Sequence, residues 1–339
     1  MQLKFFITGV AGFIAYHLAK RILVENPEIK VIGFDNLNDY YDVRLKHARL
    51  DNLRKYDNFT FMQGDLSDKT MINAIFEEYR PEFVVNLAAQ AGVRYSITNP
   101  QAFINSNIVG FFNIIEACRH YTPTHLVYAS SSSVYGANKK TPYSTDNKTD
   151  SPISLYAATK KSNELLAYSY AKLYDIKITG LRFFTVYGEY GRPDMAYYSF
   201  TEKMVKSEPI QLFNYGDMYR DFTYIDDIIE GVIRVIKKPP ESDENGTCHK
   251  LYNIGNSKPE RLTLFVDTLE RVLLEEGLIS VFTVRELLPM QQGDVYQTFA
   301  DIEDLERDFG FTPSTSLESG LRQFVKWYKS YTKARELNA

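Results

Sequence analysis

The sequence predicts an α/β fold with a doubly wound parallel sheet and a smaller, interleaved α+β lobe. Three observations predict it: short apolar strands alternate with helical segments, a glycine-containing turn joins the first strand to the first helix, and the alternation ends after Arg182. Strands separated by helices imply crossover connections, and therefore a parallel sheet that helices cover on both faces. A chain of 339 residues exceeds the ~250–300 residues at which a single core usually stops growing, which favours a second lobe.

The first half of the chain supplies the elements of the sheet in order. The first strand contains the unbroken apolar run Phe5-Phe6-Ile7, which is typical of a strand buried on both faces. Residues 1–15 also have the make-up of a short signal peptide, but the glycines after the run suit a strand, turn and helix better. The predicted strands are 4–8, 30–34, 59–64, 83–87, 125–130 and 177–182, and the predicted helices are 16–25, 45–55, 69–78, 102–119 and 154–174.

Aromatic-rich loops and an acidic insert replace the regular alternation after Arg182. Helices are predicted over 197–206, 263–273 and 317–332, and the insert carries Glu241, Asp243 and Glu244. We therefore predict a dinucleotide-binding domain over residues 1–182, with a return segment at 218–240. Residues 183–217 and 241–339 are predicted to form the second, ligand-binding lobe.

The composition excludes several classes of protein. Hydrophobic residues make up 44% and charged residues 24%, which is an ordinary globular balance and not that of a disordered or fibrous chain. The net charge of -4 gives no reason to expect nucleic acid or an anionic membrane as a partner. Two cysteines form no disulfide framework, five histidines show no metal-ligand spacing, and there is no 18-residue apolar run. We expect a cytoplasmic protein without metal.

The turn after the first strand has the features of a phosphate-binding loop. Gly9 permits the tight turn, and Gly12 lets the backbone approach a pyrophosphate at the start of the helix, where Phe13 and Ile14 follow. The free N–H groups and the dipole of a helix N-terminus favour that anion. Position 15 often carries a third glycine, and Ala15 departs from this pattern by one methyl group. Strand, turn and helix together predict a Rossmann dinucleotide site.

The residue that closes the second strand favours NAD over NADP. The carboxylate of Asp35 can accept hydrogen bonds from both adenosine ribose hydroxyls and would repel a 2′-phosphate, and no arginine adjoins it. The alternative is that Asp35 is only a turn residue before Asn36. Asp65, after the third strand, is predicted to meet the adenine amino group. The other residues predicted to lie along the cofactor also follow strand ends: Asn36, Leu66, Ala88, Ala89 and Gln90.

Tyr156 and Lys160 lie four residues apart on a predicted helix, and therefore on one of its faces. The pKa of a free phenol is ~10, so too little of it is ionised at pH 7 for it to act as a base. A cation ~4 Å away contributes on the order of 4 kcal/mol at an effective dielectric of ~20, or about three pKa units. Lys160, assisted by a positively charged nicotinamide, is therefore predicted to make Tyr156 a usable proton acceptor. The pair is common on ordinary helices, and the upstream turn favours catalysis here.

A run of serines, 130–133, ends the strand that precedes this helix. Hydroxyls at the carboxyl end of a parallel strand point into the ligand crevice. One of them can therefore hydrogen-bond the substrate oxygen whose proton Tyr156 takes. The alternative is a flexible serine-rich loop without a role in the chemistry.

These motifs resemble the extended short-chain dehydrogenase/reductase family, and within it the NAD-dependent epimerases and dehydratases that act on nucleotide sugars. The similarity covers the chain to about Tyr331, and the stretch 191–196 is its most specific part. The stretches that carry the resemblance are 8–15, 35–42, 88–96, 130–133, 156–160, 191–196, 220–227 and 288–291.

The resemblance implies roles for individual residues. Tyr156 corresponds to the catalytic base, Lys160 to its partner, and Ser131 to the serine or threonine 25 residues before the tyrosine. Arg220 falls where relatives grip the diphosphate, and Asn107 falls at a position near the cofactor. The positions at which the family contacts the sugar and its carboxylate are Ser132, Ser133, Thr185 and Arg192.

The resemblance also implies a reaction, the C4 epimerisation of a UDP-hexuronate, UDP-glucuronate to UDP-galacturonate, with NAD as a temporary hydride store. Tyr156 takes the proton of the 4-hydroxyl, the 4-keto sugar turns over in the pocket, and hydride returns to its opposite face. Because that intermediate is a β-keto acid, Arg192 could hold its carboxylate bidentately, away from the alignment that releases carbon dioxide. Alternatively, Arg192 is a surface arginine.

Other functions stay open at this stage: a UDP-glucuronate decarboxylase, another UDP-sugar 4-epimerase on the same fold, or a catalytically silent NAD-binding module. Relatives pair through the helices that correspond to 102–119 and 154–174, so a homodimer is expected by analogy. Glu189 and Tyr190 stand where relatives usually carry Pro-Trp, and Tyr296 stands where they usually carry proline. The stretch 291–296 lacks the second diphosphate cation of galactose-type epimerases, so no diphosphate role is predicted there.

Overall fold

The computed structural model describes residues 2–290 and 296–337. The stretch 291–295, for which no diphosphate role is predicted, lies outside the described residues. The strands are β1 (Lys4–Thr8), β2 (Lys30–Asp35), β3 (Phe59–Gln63), β4 (Phe83–Asn86), β5 (His125–Ser131), β6 (Ile178–Phe183), β7 (Thr185–Tyr187), β8 (Ile210–Leu212), β9 (Tyr219–Tyr224), β10 (His249–Ile254), β11 (Pro259–Arg261), β12 (Arg285–Leu287) and β13 (Gln297–Thr298). The α-helices are α1 (Phe13–Glu25), α2 (Val43–Leu53), α3 (Lys69–Tyr79), α4 (Tyr95–Thr98), α5 (Pro100–Phe103), α6 (Gly110–His120), α7 (Leu155–Tyr174), α8 (Ala196–Val205), α9 (Ile225–Lys237), α10 (Leu262–Glu275), α11 (Glu303–Phe309) and α12 (Leu317–Leu337).

Seven of these strands form one parallel sheet in the order β10-β6-β5-β4-β1-β2-β3. The strand order reverses at β1, which lies between β4 and β2, and open α/β sheets bind ligands beside such a reversal. Thr8 ends β1 and fixes the edge there, because its hydroxyl donates to Asn86 Oδ1 at 2.7 Å and accepts from the N–H of Ala88 at 3.1 Å. The predicted doubly wound α/β fold is confirmed.

Alternating residues of the central strands fill the two faces of this sheet. Phe6 and Val84 belong to the apolar cluster on one face, and Ile7 and Val85 belong to the cluster on the other. This period of two explains why the strands appear in the sequence as unbroken apolar runs. Within residues 2–290 and 296–337, no helix combines the length and the apolarity that crossing a bilayer requires.

The predicted helix 102–119 is helical throughout, but its geometry changes along its length. α5 runs into a π-helical segment, Ile104–Val109, which continues into α6. Asn107 lies in this segment and is only 2% exposed, and π-helical turns often occur at functional sites. Hydrophobic periodicity alone does not reveal such a local change of winding.

The chain was predicted to return to the main domain over residues 218–240, but the strand that rejoins the main sheet, β10, follows that segment. β9 begins that segment, but it pairs with β7, β11 and β13 in a second sheet. α9 then packs against α1 in the main domain, and β10, which was predicted within the second lobe, pairs in parallel with β6 as the edge strand. The sequence missed β10 because His249 and Lys250 begin it and only its last three residues are buried, which is typical of an edge. The remaining boundaries of the lobes stay predictions.

Candidate active site

A cleft of about 1020 Å³ lies at the carboxyl ends of the parallel strands and is lined by residues from both parts of the chain. Its volume reaches the upper limit of ordinary ligand pockets. Of the predicted site residues, only Asn107 is absent from the lining. Those that line the cleft are Gly9, Gly12, Phe13, Ile14, Asp35, Asn36, Asp65, Leu66, Ala88, Ala89, Gln90, Ser131, Ser132, Ser133, Tyr156, Lys160, Thr185, Arg192 and Arg220.

The turn between β1 and α1 has the geometry of an anion-binding cradle. Gly9 has a φ of 72°, and a Cβ placed there would lie 2.8 Å from the backbone nitrogen of Ala88. A Cβ on Gly12 would lie 2.8 Å from the carbonyl oxygen of Gly9, so both positions require glycine. Gly12 is the N-cap of α1, and no side chain caps this helix. Its first-turn N–H groups are therefore available to a phosphate.

Asp35 lies where β2 meets this cradle. Its Oδ2 accepts from the N–H of Ala11 at 3.1 Å, and its Oδ1 accepts from the N–H of Leu37 at 2.9 Å. Burial raises the pKa of Asp35, and the nearby ammonium of Lys46 opposes that rise. Each carboxylate oxygen keeps acceptor capacity on the cleft side for a ribose hydroxyl.

Lys46 lines the same part of the cleft, and the sequence reasoning missed it. Its Nζ donates to Asn38 at the carbonyl oxygen (2.6 Å) and at Oδ1 (2.8 Å), and burial lowers its pKa. The side chain is only 5% exposed. A lysine on the inner face of a helix that follows the Asp35 strand is the signal that could have identified it.

The residues after β3 and β4 are held in place by side chains behind them. Asn36 Nδ2 donates to Asp65 Oδ2 at 2.8 Å. Burial raises the pKa of Asp65, but hydrogen bonds from Ser67 and Asn36 outweigh it and hold the pKa below its usual value. Asn107 accepts from the N–H of Gln90 at 2.8 Å and donates to its carbonyl at 3.0 Å. In the structure, Asn107 therefore acts behind the cleft, on Gln90.

These features fit a bound NAD. The uncapped N-terminus of α1 beside Gly9 and Gly12 would hold the pyrophosphate, and the Asp35 carboxylate would receive the adenosine ribose. The backbone of Ala88 lies so close to Gly9 that a side chain at position 9 would fill the space between them. NAD is an acceptor and donor of hydride when it is bound in such a cradle.

Tyr156 lies in the first turn of α7 and against the ring of Phe103, with 6.0 Å between the centroids. Ser154, the N-cap of α7, accepts from the N–H of Ala157 at 3.1 Å and fixes this start. Burial raises the pKa of Tyr156, and the hydroxyl of Ser131 and the charge of Arg192 lower it in part. Tyr156 is thus brought together with two of the predicted site residues.

Lys160 is directed at the end of β5. Its Nζ donates to the carbonyl oxygen of Ala129 at 2.7 Å, and its side chain is 4% exposed. Burial lowers the pKa of Lys160 to about 8. Lys160 is not among the main influences on the pKa of Tyr156 in this structure. The acidification of Tyr156 by Lys160 together with the nicotinamide stays a prediction.

The buried ammonium of Lys160 makes stability depend on pH in a known direction. Its pKa is about 8 in the folded protein and near 10.5 in the unfolded chain, so the unfolded chain binds more protons between these values. The cost of burying the charge is complete below pH 8 and disappears above pH 10.5. Relative to that of Lys160→Met, the free energy of unfolding of the parent protein should therefore rise by up to about 3 kcal/mol as pH rises through this window. Urea unfolding of both proteins, stripped of nucleotide, at pH 7 and pH 10 measures it, and an unchanged difference would contradict it.

All four serines of the run line the cleft, and the first two also make structural hydrogen bonds. Ser130 Oγ donates to Glu164 Oε1 at 2.7 Å, and Glu164 also accepts from Arg182 at 2.8 and 2.9 Å, all of them buried. This ion pair fixes the end of β5. Ser131 caps the following 3₁₀ turn by accepting from the N–H of Ser133 at 3.2 Å. The loop is thus ordered, and Ser131, Ser132 and Ser133 face the cleft.

Arg192 and Asp194 line the cleft as an ion pair. Nε of Arg192 donates to Oδ1 of Asp194 at 3.1 Å, and Nη2 donates to Oδ2 at 2.9 Å. The side chain of Arg192 is 25% exposed, so it is a cleft residue and not a surface arginine. Sequence reasoning did not single out Asp194, although it stands two residues after Arg192 in the most specific stretch.

The loop before Arg192 is fixed by aromatic contacts of Tyr190 and by the guanidinium of Arg49. Tyr190 packs between Tyr16 and Trp327, each with 4.9 Å between ring centroids. The fully buried guanidinium of Arg49 donates to the carbonyls of Tyr190 and Ala11, at 2.5 and 2.6 Å. Arg49 thereby joins this loop to the phosphate-binding turn. Tyr190, at which the sequence was expected to depart from its relatives, thus packs as an aromatic ring between two others.

Arg220 enters the cleft from β9. Its Nη1 donates to the carbonyls of Tyr219 at 2.8 Å and Tyr296 at 3.2 Å. The guanidinium of Arg94, another lining residue, lies 5.1 Å from the centroid of the Phe213 ring. Further lining residues that the sequence did not single out are Lys203, Gln211 and Phe213.

The fold and the cleft define the class of protein, a Rossmann enzyme that binds a dinucleotide beside a second ligand. A profile of the NAD dependent epimerase/dehydratase family matches residues 5–255. The chain belongs to this family, as its motifs predict.

Individual relatives are similar over nearly the whole chain. Protein CapI of Staphylococcus aureus is 48% identical, covering 98% of this chain and 100% of CapI. A probable UDP-glucuronate 4-epimerase of Rhizobium meliloti is 42% identical, covering 98% of this chain and 99% of that protein. The crystal structure of UDP-glucuronic acid 4-epimerase from Bacillus cereus, in complex with UDP-glucuronic acid and NAD, has a TM-score of 0.87 and 31% identity, covering 97% of this chain and 100% of that one.

Proposed function

We propose that the protein is an NAD-dependent UDP-sugar 4-epimerase that interconverts UDP-glucuronate and UDP-galacturonate. The observation that carries the proposal is the placement of Tyr156, Ser131 and Arg192 in the cleft that also contains the dinucleotide cradle. The family membership and the similarity to UDP-glucuronate 4-epimerases support it. An acid–base group and an arginine for a carboxylate are what this substrate requires.

The residues of this chain have two roles in the reaction, to transfer one proton and to hold one carboxylate. Tyr156, with the hydroxyl of Ser131 beside it, removes the proton of the sugar 4-hydroxyl and later returns one to the 4-keto oxygen. Lys160, held on Ala129, supplies a positive charge in the cleft at pH 7. A general base of this kind typically contributes ~10²–10⁴ in rate. Because the 4-keto group forms and disappears within one turnover, no cofactor is consumed.

The orientation of the uronate carboxylate must be restricted during the reaction. In the 4-keto intermediate, cleavage of the C5–C6 bond would release carbon dioxide and leave its electron pair in a C4–C5 enolate. Arg192 is placed to hold the carboxylate, because its planar fork matches two oxygens and stays charged at every relevant pH. We infer that Arg220, which also lines the cleft, contacts the diphosphate.

Incubation of the purified protein with UDP-glucuronate and NAD tests the proposal. NMR spectra of the products should show UDP-galacturonate, without stoichiometric NADH in the absorbance trace. Release of carbon dioxide with UDP-pentose would instead identify a decarboxylase, and equal turnover of UDP-glucose would identify a less selective epimerase. Bound NAD without turnover of any UDP-sugar would identify a silent module.

We also propose a homodimer formed by α6, α7 and the π-helical segment between α5 and α6. Apolar side chains stand exposed there, among them Leu165 at 61%, Val109 at 38% and Phe112 at 38%. A shallow apolar recess lies beside them, lined by Ile104, Ile108, Leu155, Ala158, Thr159, Ser162, Leu165 and Leu166. Exposed apolar patches of this kind are typical of association surfaces.

Leu165→Glu should convert the dimer to a monomer, because a charge would be buried without a partner in the centre of the interface. Light scattering after size exclusion measures the mass. Val24→Glu is the matched control, since Val24 is 55% exposed on α1, away from this surface. A monomeric parent protein, or a dimer that Leu165→Glu leaves intact, would contradict the proposed interface.

We propose the cytoplasm as the site of action. The two cysteines, Cys118 and Cys248, are both free and buried, which suits a reducing compartment. The expected substrates, nucleotide sugars and NAD, are also made there.

A further inference from the structure

The guanidinium of Arg192 has two edges that can donate hydrogen bonds, and the structure uses them differently. Its Nε–Nη2 edge is bound by Asp194, at 3.1 and 2.9 Å. Among residues 2–290 and 296–337, none accepts a hydrogen bond from Nη1. Nη2 also lies 3.5 Å from the sulfur of Met195, which is a weak acceptor that an oxygen could replace. The outer edge, formed by Nη1 and Nη2, is therefore the edge that a ligand can meet.

Asp194 is anchored from its other side. The hydroxyl of Tyr40 donates to Asp194 Oδ2 at 3.2 Å. The ring of Tyr40 packs against Tyr95, with 4.7 Å between centroids, and a Cβ on Gly92 would lie 2.6 Å from the Tyr40 oxygen. Burial and the charge of Asp194 raise the pKa of Tyr40 to about 12, so its hydroxyl stays a donor at neutral pH. The carboxylate of Asp194 is thus held between a fixed donor and Arg192.

We propose that Asp194 is a positioning residue that fixes the plane of the Arg192 guanidinium, so that its outer edge receives the carboxylate of a UDP-hexuronate in one orientation. The proposal rests on the proposed function. A second possibility is that Asp194 occupies the place of the substrate carboxylate and is displaced by it. The anchoring by Tyr40 favours a fixed support over a displaceable group, and the free outer edge leaves room for the ligand.

The two roles predict different kinetics for Asp194→Asn. Loss of a fixed support leaves the charge of Arg192 but not its orientation, so the 4-keto intermediate should lose carbon dioxide more often. We expect the ratio of UDP-pentose to UDP-galacturonate to rise at least ~10-fold, which corresponds to one charge-assisted hydrogen bond. kcat for epimerisation should fall, while KM for UDP-glucuronate should change by less than ~3-fold, because the charge remains.

The experiment measures product ratio, kcat and KM with UDP-glucuronate on enzyme that contains NAD. Tyr40→Phe removes only the O–H donor to Asp194 and should shift the ratio in the same direction by less. The matched control is Asp42→Asn, because Asp42 binds Nε and Nη2 of Arg44 in the same spacing at the exposed start of α2. Asparagine is also a good N-cap, so this helix start is kept.

Three results would overturn a part of this account. A lower KM of Asp194→Asn with an unchanged product ratio would show that Asp194 competes with the substrate carboxylate. A ratio and KM unchanged in both Asp194→Asn and Tyr40→Phe would show that Asp194 has no positioning role. If the parent protein makes no UDP-galacturonate at all, the proposed function fails, and this is visible without any variant.

Discussion

Tyr156→Phe should lower the turnover of UDP-glucuronate by ~10²–10⁴ or more, the usual contribution of a positioned general base. The substitution removes only the hydroxyl that is proposed to take the proton of the sugar 4-hydroxyl. The ring packing on Phe103 is kept, because a phenylalanine can make the same contact. NAD and UDP-glucuronate should therefore still bind. Product formation followed by NMR, together with the NAD content of the purified variant, measures both effects.

The control for this prediction is another buried tyrosine that donates a hydrogen bond away from the cleft. Tyr252 lies on β10, and its hydroxyl donates to Asp308 Oδ2 at 2.7 Å. Tyr252→Phe loses a comparable hydrogen bond but should keep its turnover. If Tyr156→Phe retains parental turnover, another group must remove the proton, and the role of Tyr156 is wrong.

Much of the fold could be predicted from the sequence because the central strands are buried on both faces. Runs such as Phe5-Phe6-Ile7 leave little choice of structure, and the helices between them imply crossover connections and a parallel sheet. β10 could not be found in this way, since His249 and Lys250 at its start are only half-buried at the edge. The helix at 102–119 was found, but not its π-helical segment, in which Asn107 hydrogen-bonds to Gln90 and Thr159, outside the helix.

The site was predictable where one residue type is needed at one backbone position. Gly9 and Gly12 have no substitute, because a Cβ at either would collide with backbone atoms. Residues that act through long side chains were harder to predict. Lys46 reaches the cleft from α2, and Asp194 is recognisable as a partner of Arg192 only from the contact itself. Such pairings depend on tertiary structure that no local spacing encodes.

The role of Lys160 shows the limit of arguments from helical spacing. The spacing of four residues correctly places Lys160 and Tyr156 in one cleft. It does not show that the ammonium donates to Ala129, or that burial lowers its pKa to about 8. In the structure, Ser131 and Arg192 are the groups that lower the pKa of Tyr156, against the larger effect of burial.

Arg192→Ala should turn the enzyme into one that releases UDP-pentose from UDP-glucuronate. Without the guanidinium, the carboxylate of the 4-keto intermediate is free to align its C5–C6 bond with the carbonyl π orbital, and carbon dioxide leaves. In the proposed function, two charge-assisted hydrogen bonds from Arg192, each worth roughly 1.5–3 kcal/mol, restrict this alignment in the parent. Their loss should shift the ratio of pentose to uronate by more than ~100-fold, since each 1.4 kcal/mol is a factor of ten. The preference for UDP-glucuronate over UDP-glucose should also disappear.

Trapped carbon dioxide and the NMR spectrum of the UDP-sugars measure this ratio, and competition between UDP-glucuronate and UDP-glucose measures the preference. Arg44→Ala is the matched control, because Arg44 forms a similar pair with Asp42 at the exposed start of α2, outside the cleft lining. Retained epimerisation of UDP-glucuronate by Arg192→Ala, without pentose, would place control of the carboxylate elsewhere in the cleft. In that case the lining residues Ser132, Ser133 and Thr185 would be the next to substitute, since their hydroxyls are the remaining neutral donors predicted for the sugar.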